Sequence, residues 1–445
     1  MRIQKLVYAI AIALSISPLF GQTDNSPWQT ENPSIPDPPA IGTTSIFSNT
    51  SLKTPNATDD SANLNSAVAQ DQDDEIVPLA PNLSGQVGSE PPLSVPSNAM
   101  NGRNGSSRGR CNLGCPKSLF GRTAGGLGVG GWVETGFQNR SDLMFNELPG
   151  KFEVDQVWLY LDKPTSCRNR FGFHLDAVYG VDGQDLQAFG NPPAGNPVGW
   201  DNNWDHGIYG WALPQAYVEV GNGRSTVRAG KFLAPFGYEG LPATDNFFYS
   251  HTYTRYFTEP VSQTGVVGEF GNGCNSVLLG ATAGWDTAFK NTDHGFNGIV
   301  GLQLRLGNNL RLNATSAIGD MGLRGSGSLT SIVMEACLSR YSSFVSQMDV
   351  LDLNIDSANE ISWINYFFYS INPCLGLGTR LEWWKSNNPL VITNGTTSST
   401  WDWTMGINYR PNANVVIRPE LRYDWGAAAL SPGATIFAVD AIVTF

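Results

Sequence analysis

The chain ends Ala434-Thr-Ile-Phe-Ala-Val-Asp-Ala-Ile-Val-Thr-Phe445. Strand side chains point alternately to opposite faces. Read at that period, Phe437, Val439, Ala441, Val443 and Phe445 share one face, and Ile436, Ala438, Asp440, Ile442 and Thr444 share the other. The ending is therefore one strand of about ten residues, the length that crosses a bilayer when tilted. An apolar face backed by a mixed one suits a barrel wall with lipid outside and a lumen inside. A soluble protein also ends on a strand at times, so the rest of the chain has to decide.

Composition narrows the choice. Only 15% of the 445 residues are charged, against about 25% in an ordinary soluble domain. Glycine is abundant at 49 residues, and aromatic residues reach 11%. No internal stretch approaches the roughly 18 apolar residues of a membrane helix. Two classes fit: a transmembrane β-barrel and a secreted all-β protein. A formal net charge of −12 argues against nucleic acid as a partner, which calls for a basic footprint. The start reads as a signal peptide over 1–21: Arg2 and Lys5 are basic, Leu6 to Ile16 is apolar, and Leu19-Phe-Gly21 is a cleavage site. The mature protein is thus exported.

Residues 22–124 read as a disordered tail. They are rich in Pro, Ser, Asn, Thr and Asp, nearly without aromatics, and carry an acidic run at Asp71, Asp73, Asp74 and Glu75. Such a segment buries too little apolar surface to offset its ordering entropy. From 125 to 445 the pattern changes to strands. They are expected at 129–138, 154–161, 171–181, 215–220, 226–232, 264–270, 277–286, 299–306, 310–319, 331–340, 345–355, 361–371, 375–384, 401–410, 415–425 and 435–445. Sixteen is an even number, as in single-chain bacterial barrels.

The connections alternate in length. Short ones fall at 162–170, 221–224, 271–275, 307–309, 372–374 and 411–414, and longer ones between them; only 356–360 breaks the rule. Short periplasmic turns and long extracellular loops produce this sorting, and a soluble sandwich has no reason for it. The tail and Phe445 then share the periplasmic side. The strands also carry charges on one face. Pore-lining candidates are Glu134, His174, Asp176, Arg228, Arg305, Arg311, Glu335, Arg380, Glu382, Asp402, Arg418, Glu420, Arg422 and Asp424. A closed soluble core has no room for so many charges, whereas a wide water-filled lumen accepts them. Both signs are present, which leaves ion selectivity open.

Other motifs carry less. Gly126-Leu-Gly128-Val-Gly-Gly131 has the letters of a dinucleotide fingerprint, but that motif needs a strand before it and a helix after it. Asp201, Asn203 and Asp205 resemble the opening of a calcium loop, yet the Gly is one place late and the closing Glu is missing. The four histidines form no metalloprotease motif, and no Gly-x-Ser-x-Gly elbow occurs, so neither an enzyme nor a cofactor is expected. All six cysteines fall on or near the short-turn side, and an exported chain favours disulfides. Their pairing is open.

One stretch carries a family resemblance. Val227-Arg-Ala-Gly-Lys-Phe-Leu-Ala-Pro-Phe-Gly-Tyr-Glu-Gly240 is followed by Asn246-Phe-Phe-Tyr-Ser250, Arg255-Tyr-Phe-Thr-Glu-Pro260 and Thr264-Gly-Val266. With Gly130-Gly-Trp-Val-Glu-Thr-Gly136, this resembles the OmpL-like beta-barrel porin-2 family of planctomycete type. The resemblance covers roughly residues 125–445. It implies an outer-membrane barrel with a pore role and no defined substrate. The positions matching its motif are Gly230, Lys231, Phe232, Gly237, Glu239 and Pro260.

The reading reached is an all-β, transmembrane, antiparallel up-and-down barrel of about 16 strands in the bacterial outer membrane. It passes small hydrophilic solutes by diffusion, with outer-membrane lipid as its surroundings and a homo-oligomer allowed. The connection 233–263 is the third long loop and rich in aromatics. It folds inward on this reading, so that Glu239, Asp245, Tyr253, Arg255 and Glu259 form a constriction. The rival reading is a secreted, soluble, carbohydrate-binding all-β protein.

Overall fold

The computed structural model describes residues 111, 113–119 and 126–445, except 143, 146–147, 189–199, 202–203, 273, 290–293, 355–357, 389–397, 427–432 and 434. The leader at 1–21 and the acidic run of the tail lie outside the described residues.

One antiparallel sheet closes on itself. Its wall strands are β1 (Gly128–Gln138), β2 (Phe152–Lys163), β3 (Phe171–Gly180), β6 (Ala216–Gly221), β7 (Ser225–Leu233), β8 (Ser262–Gly271), β9 (Ser276–Trp285) and β10 (Phe296–Leu306). The wall continues through β11 (Leu310–Asp320), β12 (Ser326–Cys337), β13 (Ser342–Leu353), β14 (Ala358–Asn372), β15 (Leu375–Ser386), β16 (Ser398–Asn412), β17 (Val415–Gly426) and β18 (Thr435–Thr444). Sequential strands pair round the ring, and β18 returns to β1. Two short strands, β4 (Asp205–His206) and β5 (Tyr209–Ala212), form a hairpin inside the connection after β3; β5 pairs antiparallel with the end of β3, Val178 opposite Ala212. Their brevity and the glycines at 207 and 210 hid them from the periodicity.

Closure runs through the chain end. Trp132 pairs with Thr444, and the register continues to Gln138 with Ala438. Gly131 and Phe445 exchange backbone hydrogen bonds of 3.1 and 2.9 Å. A ring leaves no strand edge unpaired, which matters in a medium with no donors or acceptors.

The two faces differ as the sequence pattern predicts. In β18, Phe437 and Val443 are exposed outward while Ile436, Ala438, Asp440 and Ile442 are buried inward. In β16, Trp403, Met405, Ile407 and Tyr409 face out, and Asp402, Thr404 and Asn408 face in. Met405 is the eighth of fifteen residues in its strand. Met405→Arg should therefore destabilise the barrel by about 2–4 kcal/mol, the cost of a cation near the midplane. Urea unfolding in lipid vesicles measures it, and a change below about 1 kcal/mol would refute the lipid-facing assignment.

The short-turn rim gathers the cysteines. Cys111 is bridged to Cys374, in the β14–β15 turn. Residues 113–117 continue along the rim: Ala413 donates to the Leu113 carbonyl (2.9 Å), and Lys117 and Asn414 exchange two bonds of 2.7 Å. This part of the segment read as tail is thus pinned, because a covalent bond and the turn amides replace the apolar burial it lacks. Cys115, Cys167, Cys274 and Cys337 are exposed thiols on the same rim. A bulky membrane-impermeant maleimide should leave all four unlabelled on intact cells and label them once the outer membrane is opened. Labelling from outside would invert the topology.

Candidate functional site

The connection between β7 and β8 enters the barrel. It starts beside the wall at Leu233 and turns at Gly237, which has φ of +72°. An added Cβ there would collide with the Glu259 carboxylate, so the turn requires glycine. Two short helical turns follow, Ala243–Asp245 and Thr254–Thr258. Asn246 staples the first to the chain before it, accepting from the Gly240 N–H (3.0 Å) and donating to the Gly240 carbonyl (2.8 Å). The loop aromatics then meet inward-facing apolar residues of the wall. Phe247, Phe248 and Tyr238 pack with Val333, Val345, Ile364, Tyr366 and Phe368, and Tyr253 with Trp384. Gly378 leaves the space that the Phe247 ring fills.

Wall charges grip the loop backbone from the far side. Glu420 accepts the consecutive N–H groups of Tyr249 and Ser250 at 2.8 and 3.1 Å. Glu382 accepts those of Tyr253 and Thr254, both at 2.8 Å, and the Thr254 hydroxyl. Arginines hold the carbonyls. Arg418 donates to Ala243 and Asn246, Arg380 to Ser250 and His251, and Arg422 to His251. Each guanidinium is also paired on the wall: Arg418 with Glu134 and Asp440, Arg380 with Asp402, and Arg422 with Asp424. Buried ions of this kind persist only where paired and hydrogen-bonded.

The five expected constriction residues occupy this loop but differ in role. Glu239 accepts from Arg380 (2.9 Å), the Tyr366 hydroxyl (3.1 Å) and the Thr252 N–H (3.0 Å). Burial opposes its ionisation, yet Arg380 and the hydrogen bond from His251 hold its carboxyl well below the usual range. Arg255 pairs with Glu259 at 2.6 Å, and Gln347 of β13 donates to the other Glu259 oxygen at 2.7 Å. The Tyr253 hydroxyl donates to Asp424 at 2.8 Å, with Arg422 over its ring at 5.2 Å. Among the described residues, Asp245 accepts only a long bond from the Thr244 hydroxyl, 3.4 Å.

The pore-lining candidates divide into groups. Glu134, Arg380, Glu382, Asp402, Arg418, Glu420, Arg422 and Asp424 face inward and are buried, tied to the loop and to one another. A water-filled lumen would leave them accessible; the seated loop excludes water from them. His174 and Asp176 are likewise buried, bonded at 2.8 Å, with Asp162 on the second ring nitrogen at 3.2 Å. Arg228 is paired with Glu219 at 3.6 Å. Only Arg305, Arg311 and Glu335, toward the turn end, keep substantial contact with solvent, the last two paired at 3.4 Å. Sequence reasoning missed Gln347, Ser331 and Glu360, which hold Glu259, the Gly237 N–H and Thr258; inward parity was the available signal for the first two, while Glu360 falls in the connection expected at 356–360. The calcium candidate does not assemble. Asp201 accepts the Ala188 N–H, Asp205 accepts from Gln187, and Asn203 is outside the described residues. Among the described residues no three potential ligands gather for a metal.

Two further carboxyls packed beside the loop are expected to make its seat pH-dependent. Burial pushes Asp142 up to about 6, against the pull of Arg422. Burial pushes Asp182 up to about 7, against its hydrogen bond from Gln156. Gln156 also holds the Leu241 carbonyl and the Ala243 N–H. An unfolded Asp titrates near 3.9, so the packed form binds extra protons between roughly pH 4 and 7. Their stabilisation is complete below that window and is lost as pH rises through 6 to 7. Unit conductance should be lower at pH 5 than at pH 8. The opposite order would refute this.

A closed antiparallel wall with an apolar exterior, a charged interior and an inward-folded loop defines an outer-membrane β-barrel of porin type. Residues 126–445 match the OmpL-like beta-barrel porin-2 family, and the chain belongs to it. No curated protein matches the chain. Among solved structures, a loop-deletion form of OmpT, an outer-membrane protein of Vibrio cholerae, shares the fold. It has TM-score 0.50 and 11% identity, over 72% of this chain and 99% of that one. The outer-membrane channel DcaP of Acinetobacter baumannii is also similar, with TM-score 0.49 and 11% identity over 74% and 100%. So is an anion-selective porin from Comamonas acidovorans, with TM-score 0.47 and 11% identity over 72% and 99%.

Proposed function

We propose that the chain is a diffusion porin for small hydrophilic solutes whose passage is set by the loop between β7 and β8. The observation that carries this is the double grip of Glu382 and Glu420 on loop N–H groups from the opposite wall. A sixteen-stranded barrel encloses a lumen wide enough for water, and here that space is taken by a segment of the chain itself. The loop therefore sets the upper size of solute, and the charged groups beside it bias which ions pass. Conduction is small while the loop is seated. Planar-bilayer recording with ion-reversal potentials tests the reading: discrete, weakly selective unit steps are expected. Purified, inserted barrels that carry no current, with or without the loop, would overturn it.

A further inference from the structure

The fixed charges around the loop do not balance. Arg380, Arg418 and Arg422 each bind wall carboxylates and loop carbonyls together, and Arg255 is paired with Glu259. Their charge is neutralised in place. Lys231, also buried, is faced by Asp201 and Asp286. The carboxyls are not all used in this way. Of the three acidic residues expected at the constriction, Glu239 and Glu259 are bound to arginine, whereas Asp245 is not. Asp245 closes the first helical turn of the loop, half-buried, with its one long bond from Thr244.

The same turn is linked to a second free carboxylate oxygen. Gln156 accepts the Ala243 N–H and donates to Asp182 Oδ2 at 2.8 Å. Asp182 is only 5% exposed, and among the described residues its Oδ1 accepts no hydrogen bond. A cavity of about 10 Å³ lies against Asp182, Glu134, Gln156, Asn246 and Tyr249, room for one water-sized particle. The charges facing Asp182 are Glu134, Asp142, Glu153 and Asp155, and the charge facing Asp245 is Asp176. All are acidic. The cations on this side are already bonded: Arg418 to Glu134 and Asp440, and His174 to Asp162 and Asp176. Burial without a counter-charge pushes the carboxyls of Asp182 and Asp245 up to about 7. A buried carboxylate in this state is costly, and a cation arriving beside it relieves the cost.

We infer that the solutes this pore prefers are cations, and that Asp182 and Asp245 set the preference. This rests on the diffusion reading above and names the charge class that the mixed signs of the wall left open. Fixed charge beside a narrow passage concentrates the opposite ion and repels its own sign. Carboxylate, amide and phenol oxygens suit hard cations. Arginine supplies no rival attraction for anions here, because each guanidinium beside the loop is held by a carboxylate. Protons compete for the same two groups, so the preference is full above pH 7 and is lost as pH falls below it.

The test is the reversal potential of the full chain in a planar bilayer under a tenfold KCl gradient. At pH 8 the wild-type current should reverse on the K⁺ side. The double variant Asp182→Asn, Asp245→Asn keeps the shape of both side chains and should lose at least half of that potential, with heat-modifiable migration reporting the intact barrel. Asp352→Asn, exposed on the outward face of β13, should leave it unchanged. Independently of any variant, the wild-type potential should shrink between pH 8 and pH 5. A wild-type current that reverses at zero or on the Cl⁻ side overturns the inference and leaves the porin reading standing. So does a conducting double variant with the wild-type potential, or a wild-type potential that ignores pH. Inserted barrels without any current overturn both readings.

Discussion

The double variant Glu382→Ala, Glu420→Ala is expected to unseat the loop and raise unit conductance severalfold without loss of the barrel. Each carboxylate accepts two consecutive backbone N–H groups. Hydrogen bonds to a charged group contribute about 1.5–3 kcal/mol each, so the pair of clamps outweighs any single contact of the loop. The wall itself is held by ladder bonds that neither glutamate makes, so assembly should persist. Heat-modifiable migration on gels would report the intact barrel, and bilayer recording the conductance. An unchanged conductance with an intact barrel would show that the loop does not control passage.

Removing Ile442–Phe445 should abolish assembly altogether. The four residues include the partners of Val133 and Glu134 on β1 and of Val415 and Val416 on β17. They also include Phe445, which closes the ring with Gly131. Without them the first and last strands expose backbone groups to lipid, each costing several kcal/mol. The truncated chain should accumulate in the periplasm or be degraded. Recovery of a heat-modifiable, membrane-inserted form in normal amounts would contradict the closure described here.

The wall was legible because lipid imposes a strict period. Phe437, Val439 and Val443 alternate with Asp440, and Trp403, Met405 and Ile407 with Asp402 and Thr404; no soluble core asks for that. The inward residues were a different matter. Arg380, Glu382, Arg418 and Glu420 alternate in the same way whether they face water or a folded segment, so the pattern alone could not tell a pore lining from a clamp. The wall residues that receive Phe247 and Phe248, such as Val333, Val345 and Ile364, made both faces of β12–β14 apolar and blurred the period there. The constriction residues were found from loop order and composition. Their wall partners, Arg380 for Glu239 and Gln347 for Glu259, lie more than 80 positions away, a distance at which local pattern carries no information. The bridge from Cys111 to Cys374 spans 263 positions and is one of the fifteen pairs that six cysteines can form.

Much of the grip on the loop is made through main-chain atoms. Glu382 and Glu420 take N–H groups, and the three arginines take carbonyls, groups that every residue type carries apart from the missing N–H of proline. The course of the loop is thus uncoupled from much of its lettering. At positions 249, 250, 253 and 254 the backbone clamps themselves bar only proline, and replacements elsewhere on the loop can change what it shows to a passing solute while these anchors stay engaged. An engineer can exploit that freedom by rewriting loop side chains on an untouched wall.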